Sequence, residues 1–266
     1  MNSKSMQLIK TFIVVLLVPC IMRVINKLLG LLGLSLLQDE IARFMISEAG
    51  LAILALIALF LLGRGDALKI KDGGWGEGLK AGTYMIVMTI ISLLAFVLLF
   101  VTGQTEIKVG TVDIFFFILL IFFIGLSEEI LYRGLIQNAL HDFFGEDSYG
   151  HVRTAIILSG IFFGLIHLGN ILSGESVTGT ICQVIGVIPL GIIMGAMYYR
   201  SHRNLWVNII LHAIYDGAGL LAGGVLGGKE LVNALESTDP LKALIIAAIT
   251  LLIGLFVSRK KKIQIL

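Results

Sequence analysis

The chain has 266 residues, of which 57% are hydrophobic and 14% charged, and its formal net charge is +2. Soluble globular domains carry about 25% charged residues, so this composition excludes an ordinary soluble domain and favours a protein embedded in lipid. The small net charge provides no strongly basic surface, and nucleic acid is therefore not an expected partner.

Apolar stretches of about 20 residues are long enough to cross a bilayer as helices. We predict an all-α, polytopic membrane protein with about eight transmembrane helices, and residues 1–266 are interpreted as one transmembrane domain. The predicted spans are residues 9–30, 46–63, 79–102, 112–134, 154–171, 180–199, 205–223 and 241–257.

Lysine and arginine are unevenly divided between the two sides of these spans. With the N-terminus inside, six of them fall outside and the remaining fourteen lie on the cytoplasmic side; the six are Arg23, Lys27, Arg43, Lys108, Lys229 and Lys242. Cytoplasmic segments of membrane proteins carry the excess of Lys and Arg. We therefore predict a multi-pass protein of the cell membrane with both termini in the cytoplasm.

The fourth predicted span ends in the charged sequence EEILYR, residues 128–133. Glu129 and Arg133 are one helical turn apart, in the glutamate-first order that favours an ion pair. Glu128 is rotated about 100° from Glu129 and has no cation on its own face. Two neighbouring carboxylates in different surroundings are typical of a general base beside a structural carboxylate. An ion pair at the membrane interface is an equally good interpretation of this sequence alone.

Two later spans carry further polar pairs with the same spacing. Phe163 and His167 are four residues apart, which places an aromatic ring on the helix face of the imidazole. His212 and Asp216 are also four apart, so the aspartate can orient the histidine by accepting its other ring proton. Each pair alone is also consistent with ordinary core residues. Together with the glutamates they supply a base, two histidines and a cation, which is a complete set for hydrolysis.

The depths of these groups constrain the helices that carry them. At 1.5 Å per residue, Glu128 lies about 9 Å from the predicted helix end at Gly134, and His167 lies about 21 Å from Arg153. The two can meet only if the fifth helix tilts or begins earlier. We expect it to begin near Ser148.

The order and helix placement of these residues resemble the CPBP family, the CaaX-protease and bacteriocin-processing intramembrane proteases, also called the Abi family. The family pattern is Glu-Glu-x-x-x-Arg, then Phe-x-x-x-His, then His-x-x-x-Asn or Asp. The matching residues of this chain are Glu128, Glu129, Arg133, Phe163, His167, His212 and Asp216. The resemblance covers about residues 112–220, which we interpret as the catalytic core.

The resemblance implies an intramembrane hydrolase that cleaves a peptide bond, with a catalytic cavity open to the cytoplasmic side and Phe163 beside the substrate. It implies that Glu128 and His167 activate the attacking water, and that His212 and Asp216 stabilise the oxyanion. The implied partners are the lipid bilayer and a hydrophobic or lipidated peptide or protein, with bacteriocin processing as one option.

The residue at position 216 distinguishes this chain from much of the family. Asparagine is common in the family where this chain has Asp216, and an ionised aspartate would repel an oxyanion. We therefore expect Asp216 to orient His212, and His212 to donate the hydrogen bond to the oxyanion.

The family is named for metalloproteases, although a metal-free glutamate mechanism has been argued for relatives. A catalytic zinc takes three protein ligands, which Glu128, His167 and His212 could supply, so zinc and no metal both stay open.

Two other functions are also consistent with the sequence. A non-catalytic immunity or regulatory protein that binds a membrane partner would need the fold but not the carboxylates. A proton-coupled transporter could use intramembrane glutamate and histidine residues as a relay. We find neither an inverted repeat nor a pair of interrupted helices in the sequence, and this disfavours the transporter.

Overall fold

The computed structural model describes residues 2–31, 39–71, 73–231 and 239–263. In these ranges the chain is helical and contains no strand. Its α-helices are α1 (Ser3–Leu31), α2 (Glu40–Leu61), α3 (Trp75–Ala81), α4 (Thr83–Val101), α5 (Thr111–Glu129), α6 (Asn138–Phe144), α7 (Tyr149–Ile166), α8 (Val177–Arg200), α9 (Leu205–Gly223) and α10 (Pro240–Val257). Eight helical segments within the described ranges are long and apolar enough to cross a membrane. The chain is therefore an all-α, multi-pass membrane protein, as predicted.

The C-terminal end of the fourth predicted span, residues 112–134, was wrong. The helix does not stop at Gly134, because α5 continues through a π-helical segment, Ile130–Gln137, into α6 and ends at Phe144. An arginine followed by glycine is a common helix-end signal, but Gly134 instead lies against other helices. A Cβ placed on it would lie 3.3 Å from Leu59 Cδ1. Glu128 therefore lies near the middle of this long helix.

The expected start of the fifth span is confirmed. α7 begins at Tyr149, and the hydroxyl of Ser148 accepts a hydrogen bond from the backbone N–H of His151. Serine is a favoured N-cap because its oxygen satisfies a free donor of the first turn. His167 directly follows α7 and lies about as far from the start of α7 as Glu128 lies from Phe144, since the helix of Glu128 continues to that residue.

We use the name basic end for one end of the bundle. Helices α1, α7 and α9 begin there, and helices α2, α6, α8 and α10 terminate there. Ion pairs connect its segments: Arg64 lies 2.6 Å from Asp142, and Arg200 lies 3.0 Å from Glu77. Its Lys and Arg residues are Lys4, Lys10, Arg64, Lys69, Lys71, Lys80, Arg153, Arg200, Arg203, Arg259, Lys260, Lys261 and Lys262. The cytoplasmic location of this end and of the termini stays a prediction.

The other end, where α5 begins and α9 ends, is called the opposite end. The backbone N–H of Lys108 donates to the carbonyl of Leu226 at 2.8 Å. The backbone N–H of Leu231 donates to a carboxylate oxygen of Glu40 at 3.4 Å. These contacts join the loop before α5 to the segment after α9 and the start of α2.

Glycines allow α7 and α8 to pack closely beside the site. A Cβ placed on Gly160 would lie 2.6 Å from the backbone nitrogen of Ile192, and one on Gly164 would lie 2.9 Å from that of Ile188. Backbone atoms cannot move aside as the end of a flexible side chain can. The contact between α7 and α8 therefore requires glycine at both positions.

Replacing Gly160 by alanine is expected to lower the free energy of unfolding by about 1–3 kcal/mol, the usual cost of overpacking. Unfolding of the purified protein in detergent measures this change. Gly186→Ala on α8 is the matched control, because a Cβ there meets no atom within 4 Å. Alanine in an open helix position stabilises by about 0.5–1 kcal/mol relative to glycine, so equal destabilisation by both variants would contradict the packing argument.

Candidate active site

The predicted ion pair lies where α5 passes into the π-helical segment. Arg133 Nη1 lies 2.9 Å from Glu129 Oε1, and both side chains are 0% exposed. Arg133 Nη2 also donates to the carbonyl of Gly191 at 3.2 Å, and its guanidinium lies 4.5 Å from the ring centroid of Phe163. π-helical segments are rare and frequently occur at functional sites. The charged pair is thus enclosed by protein and does not lie at the membrane interface.

Glu129 also joins the ion pair to α9. Its Oε1 accepts a hydrogen bond from His212 Nδ1 at 2.9 Å, and its Oε2 accepts one from Asn208 Nδ2 at 3.0 Å. Asn208 donates to the carbonyl of Met194 on α8 as well. Sequence reasoning missed Asn208, although it lies one turn before His212 on the same helix face. A buried carboxylate needs such donors, because an unpaired charge in the interior is costly.

The imidazole of His212 lies between carboxylates on both sides. Its Nε2 is 3.2 Å from Asp216 Oδ2 and 3.5 Å from Glu128 Oε2. The side chain of His212 is 3% exposed, whereas those of Asp216 and Glu128 are 22% and 23% exposed. Nδ1 therefore faces a closed interior and Nε2 faces the accessible part of the site. The proton on Nδ1 is therefore held by Glu129 and not, as the sequence led us to expect, by Asp216, because α5 faces α9 and Asp216 lies on the Nε2 side of the ring.

His167 joins this group at the end of α7. Its Nδ1 lies 2.8 Å from the backbone carbonyl of Phe163, and since a carbonyl only accepts, Nδ1 carries the proton. In the neutral ring Nε2 is then an acceptor. The Phe163 ring packs nearly perpendicular to both imidazoles, with centroid distances of 5.2 Å to His167 and 6.1 Å to His212. The structure thus brings together all seven residues of the three motifs.

The middle of the chain also matches a family model. Residues 109–218 match the family described as type II CAAX prenyl endopeptidase Rce1-like. We call this segment Rce1-like because of its similarity to that family. It contains all three motifs, and the match confirms the resemblance to the CPBP family. A search of curated proteins finds no match for the chain.

Phe163 has a different setting from the one expected in the Rce1-like segment. It is 2% exposed, because its ring fills the space between Arg133 and the two histidines. In this conformation it supports the site from within and offers little surface to a substrate. Its contribution to a substrate cavity stays a prediction.

One carboxylate beside the site comes from outside the Rce1-like segment. Glu48 on α2 is half-buried, and its Oε2 lies 3.4 Å from the hydroxyl of Ser127, the residue before Glu128. Sequence reasoning missed Glu48, because no neighbour at helical spacing marked it. Its signal was a single ionisable residue in a predicted span.

The side chains do not form a ready metal site. Among the residues that the structure describes, no group of three or more His, Cys, Asp or Glu side chains is arranged to hold a metal ion. His212 Nδ1 is taken by Glu129, and His167 Nδ1 is taken by the Phe163 carbonyl. These bonds engage Nδ1 of each ring and leave Nε2, which is the usual arrangement of a metal-binding histidine. Zinc binding by these residues stays a prediction.

Proposed function

We propose that this protein is an intramembrane endopeptidase that hydrolyses a peptide bond of a membrane-associated peptide or protein. The Rce1-like match suggests a CAAX-type intramembrane endopeptidase. The observation that carries the proposal is the contact of two partly exposed carboxylates, Glu128 and Asp216, with the buried imidazole of His212. Ionisable groups inside membrane spans are costly, and they usually mark functional sites.

Glu128 is the general base in the proposed mechanism. Its carboxylate takes a proton from a water molecule while His167 Nε2 accepts a hydrogen bond from the other proton of that water. The water oxygen then attacks the carbonyl carbon of the substrate and forms a tetrahedral intermediate. When the C–N bond breaks, Glu128 returns the proton to the leaving amine.

His212 stabilises the oxyanion in this proposal. Glu129 accepts the Nδ1 proton at 2.9 Å and so fixes the ring, while Arg133 compensates the charge of Glu129. Nε2–H then points into the accessible part of the site, where Asp216 lies 3.2 Å away and accepts from it before the reaction. We propose that this N–H turns from Asp216 to the oxyanion as the tetrahedral intermediate forms. A donor that is already in place where negative charge develops lowers the barrier.

The division of roles between His212 and Asp216 predicts unequal effects. His212→Ala is expected to lower kcat by about 10²–10³-fold, the usual cost of losing an oxyanion donor. Asp216→Asn is expected to retain partial activity, because the amide oxygen can still accept from Nε2–H. The kcat values of the two variants are compared by steady-state cleavage of the same peptide in detergent. Equal and complete loss in both variants would argue against this division.

Peptide cleavage by the purified protein in detergent tests the function itself. A hydrophobic or lipidated peptide is the proposed substrate class, and Glu128→Ala combined with His167→Ala should abolish its cleavage. Biological function that survives this double change would favour the non-catalytic immunity or regulatory protein.

We propose the cell membrane as the location, while zinc binding and bacteriocin processing remain open parts of the proposal.

A further inference from the structure

A cavity at the basic end lies apart from the three motifs. It has a volume of about 540 Å³, which is within the usual range for sites of small ligands, about 300–1,000 Å³. The segment between α2 and α3, residues 63–71, supplies most of its lining, and Asn138, Tyr198 and Arg203 complete it. None of the seven motif residues is on this lining. The cavity is thus a separate site to which the proposed peptidase mechanism gives no role.

The lining of this cavity is rich in cations. It includes Arg64, Lys69, Lys71 and Arg203, and its one carboxylate among the residues that the structure describes is Asp66. Lys69 and Asp66 form an exposed ion pair, and solvent screens such pairs. The wall of the cavity therefore carries an excess of positive charge.

Carboxylates outside the cavity hold its two arginines in place. Arg64 Nη2 lies 2.6 Å from Asp142 Oδ2, and Arg203 forms an ion pair with Glu146. Neither of these carboxylates is on the lining. A guanidinium has five N–H donors, so one carboxylate leaves donors of each arginine for a second anion. The two arginines are thus fixed without being saturated.

Lys71 is the cation of the cavity that forms no ion pair with a carboxylate of the described residues. Its Nζ donates to the backbone carbonyl of His202 at 2.9 Å. Burial lowers the pKa of its ammonium group, and the positive charge of Arg203 lowers this pKa further. Arg203 is thus close enough to repel Lys71, and an anion bound beside both would relieve that repulsion.

The turn that carries Arg203 has an unfavourable backbone conformation. His202 and Arg203 have φ angles of 57° and 59°, in the left-handed region that favours glycine. Other residues are strained in this region, and such residues cluster at active sites and ligand clamps. The turn brings the His202 carbonyl to Lys71 Nζ and the Arg203 side chain to the cavity. The strained turn thus positions both cations.

The cavity lies at the level where membrane spans end. The spans of α2 and α8 end at Leu61 and Arg200, and the lining segment and Arg203 closely follow these two ends. Lipid headgroups lie at this level of a bilayer. Ile70, which is also on the lining, is 74% exposed, so the cavity offers an apolar side chain beside its cations. This combination suits an amphiphile with an anionic headgroup.

We propose that this cavity binds a phosphate group, which the headgroup of an anionic phospholipid provides. Lys71 and Arg203 contact the phosphate oxygens, and Arg64 adds positive charge to the wall. Arginine and lysine are common phosphate ligands in proteins, and basic pockets between transmembrane helices bind anionic headgroups. The proposal does not depend on the peptidase activity, because the lining contains none of the proposed catalytic residues.

Thermal unfolding of the purified protein in a neutral detergent tests the proposal. Dioctanoyl phosphatidylglycerol, dioctanoyl phosphatidylcholine and inorganic phosphate are added separately at matched ionic strength. A ligand that binds only the folded protein raises its stability according to the ratio of ligand concentration to Kd, so the rise in Tm reports binding.

Three variants locate the binding site. Lys71→Gln removes the charge, although its amide can still donate to the His202 carbonyl, and Lys71→Arg keeps the charge. Lys80→Gln is the matched control, because Lys80 is at the same end of the bundle, is 72% exposed and is not on the lining. A cooperative unfolding transition without added lipid checks that each variant is folded. Arg203→Gln provides a second test of the same cavity.

Phosphatidylglycerol is expected to raise the Tm of the wild type more than phosphatidylcholine does. Lys71→Gln and Arg203→Gln should each need about fivefold more phosphatidylglycerol for the same rise, the usual effect of one cation beside an anionic membrane surface. Lys71→Arg and Lys80→Gln should respond as the wild type does.

Two results would overturn the proposal: equal rises with the two lipids, or an equal response to phosphatidylglycerol in the wild type and in Lys71→Gln and Arg203→Gln. A rise with inorganic phosphate that equals the rise with phosphatidylglycerol, and that Lys71→Gln removes, would overturn the phospholipid as the source of the phosphate.

Discussion

Replacing Glu128 by glutamine is expected to lower kcat for peptide cleavage by about 10²–10⁴-fold, the usual contribution of a general base. Glutamine has nearly the same shape, but its amide cannot take a proton from water. The variant should stay folded, because Glu128 is partly exposed and the amide oxygen of glutamine can keep the contact with His212 Nε2, which lies 3.5 Å from the carboxylate. The buried cation Arg133 keeps its own partner, Glu129.

The comparison variant for this experiment is Glu106→Gln. Glu106 is also a carboxylate, but it is 68% exposed in the loop before α5 and pairs with Lys108 at 2.7 Å. The Glu106→Gln variant should cleave the same peptide at the wild-type rate. Thermal unfolding in detergent checks that both variants are folded. Wild-type activity in Glu128→Gln would rule out Glu128 as the base.

Contacts within one helix could be predicted from the sequence, because residues four apart share a helix face whatever surrounds them. Glu129 with Arg133, and His212 with Asp216, are both in contact as their spacing indicated. Contacts between helices could not be predicted in this way. Nothing in the local pattern identifies Glu129 as the partner of His212 Nδ1, because that depends on how α5 and α9 face each other.

The position of the site within the bundle was the least predictable feature. Arg133 suggested the end of a span, because a charged residue usually marks the membrane interface. In the structure a carboxylate, the Gly191 carbonyl and the Phe163 ring surround its guanidinium, so the helix can continue. Only the packing of α7 and α8 around α5 provides these partners, and hydropathy contains no information about it.

Glu129 links the stability of the bundle to the chemistry of the site. One carboxylate oxygen receives hydrogen bonds from both Arg133 and His212, and the other receives one from Asn208. The ring that is proposed to hold the oxyanion is therefore fixed by a carboxylate whose charge depends on Arg133. A change at Arg133 should thus affect folding and catalysis together.

Replacing Arg133 by methionine is expected to lower the free energy of unfolding by about 3–5 kcal/mol, because it leaves the carboxylate of Glu129 buried without its cation. Both side chains are 0% exposed, so water cannot replace the lost partner. Unfolding in detergent measures the change. Lys69→Met is the surface comparison, and its exposed pair with Asp66 should contribute little, since solvent screens such pairs.

The double variant Arg133→Met, Glu129→Gln separates an unpaired charge from a simple loss of packing. With neither charge present, it should be more stable than Arg133→Met alone, because a buried pair costs most when only one partner is removed. Its peptidase activity should stay low, because a neutral amide holds Nδ1–H of His212 more weakly than a carboxylate does. The single variant Glu129→Gln completes the comparison. If the losses of stability in Arg133→Met and Glu129→Gln simply add in the double variant, the two residues are not coupled, and Glu129 does not depend on Arg133 for its charge.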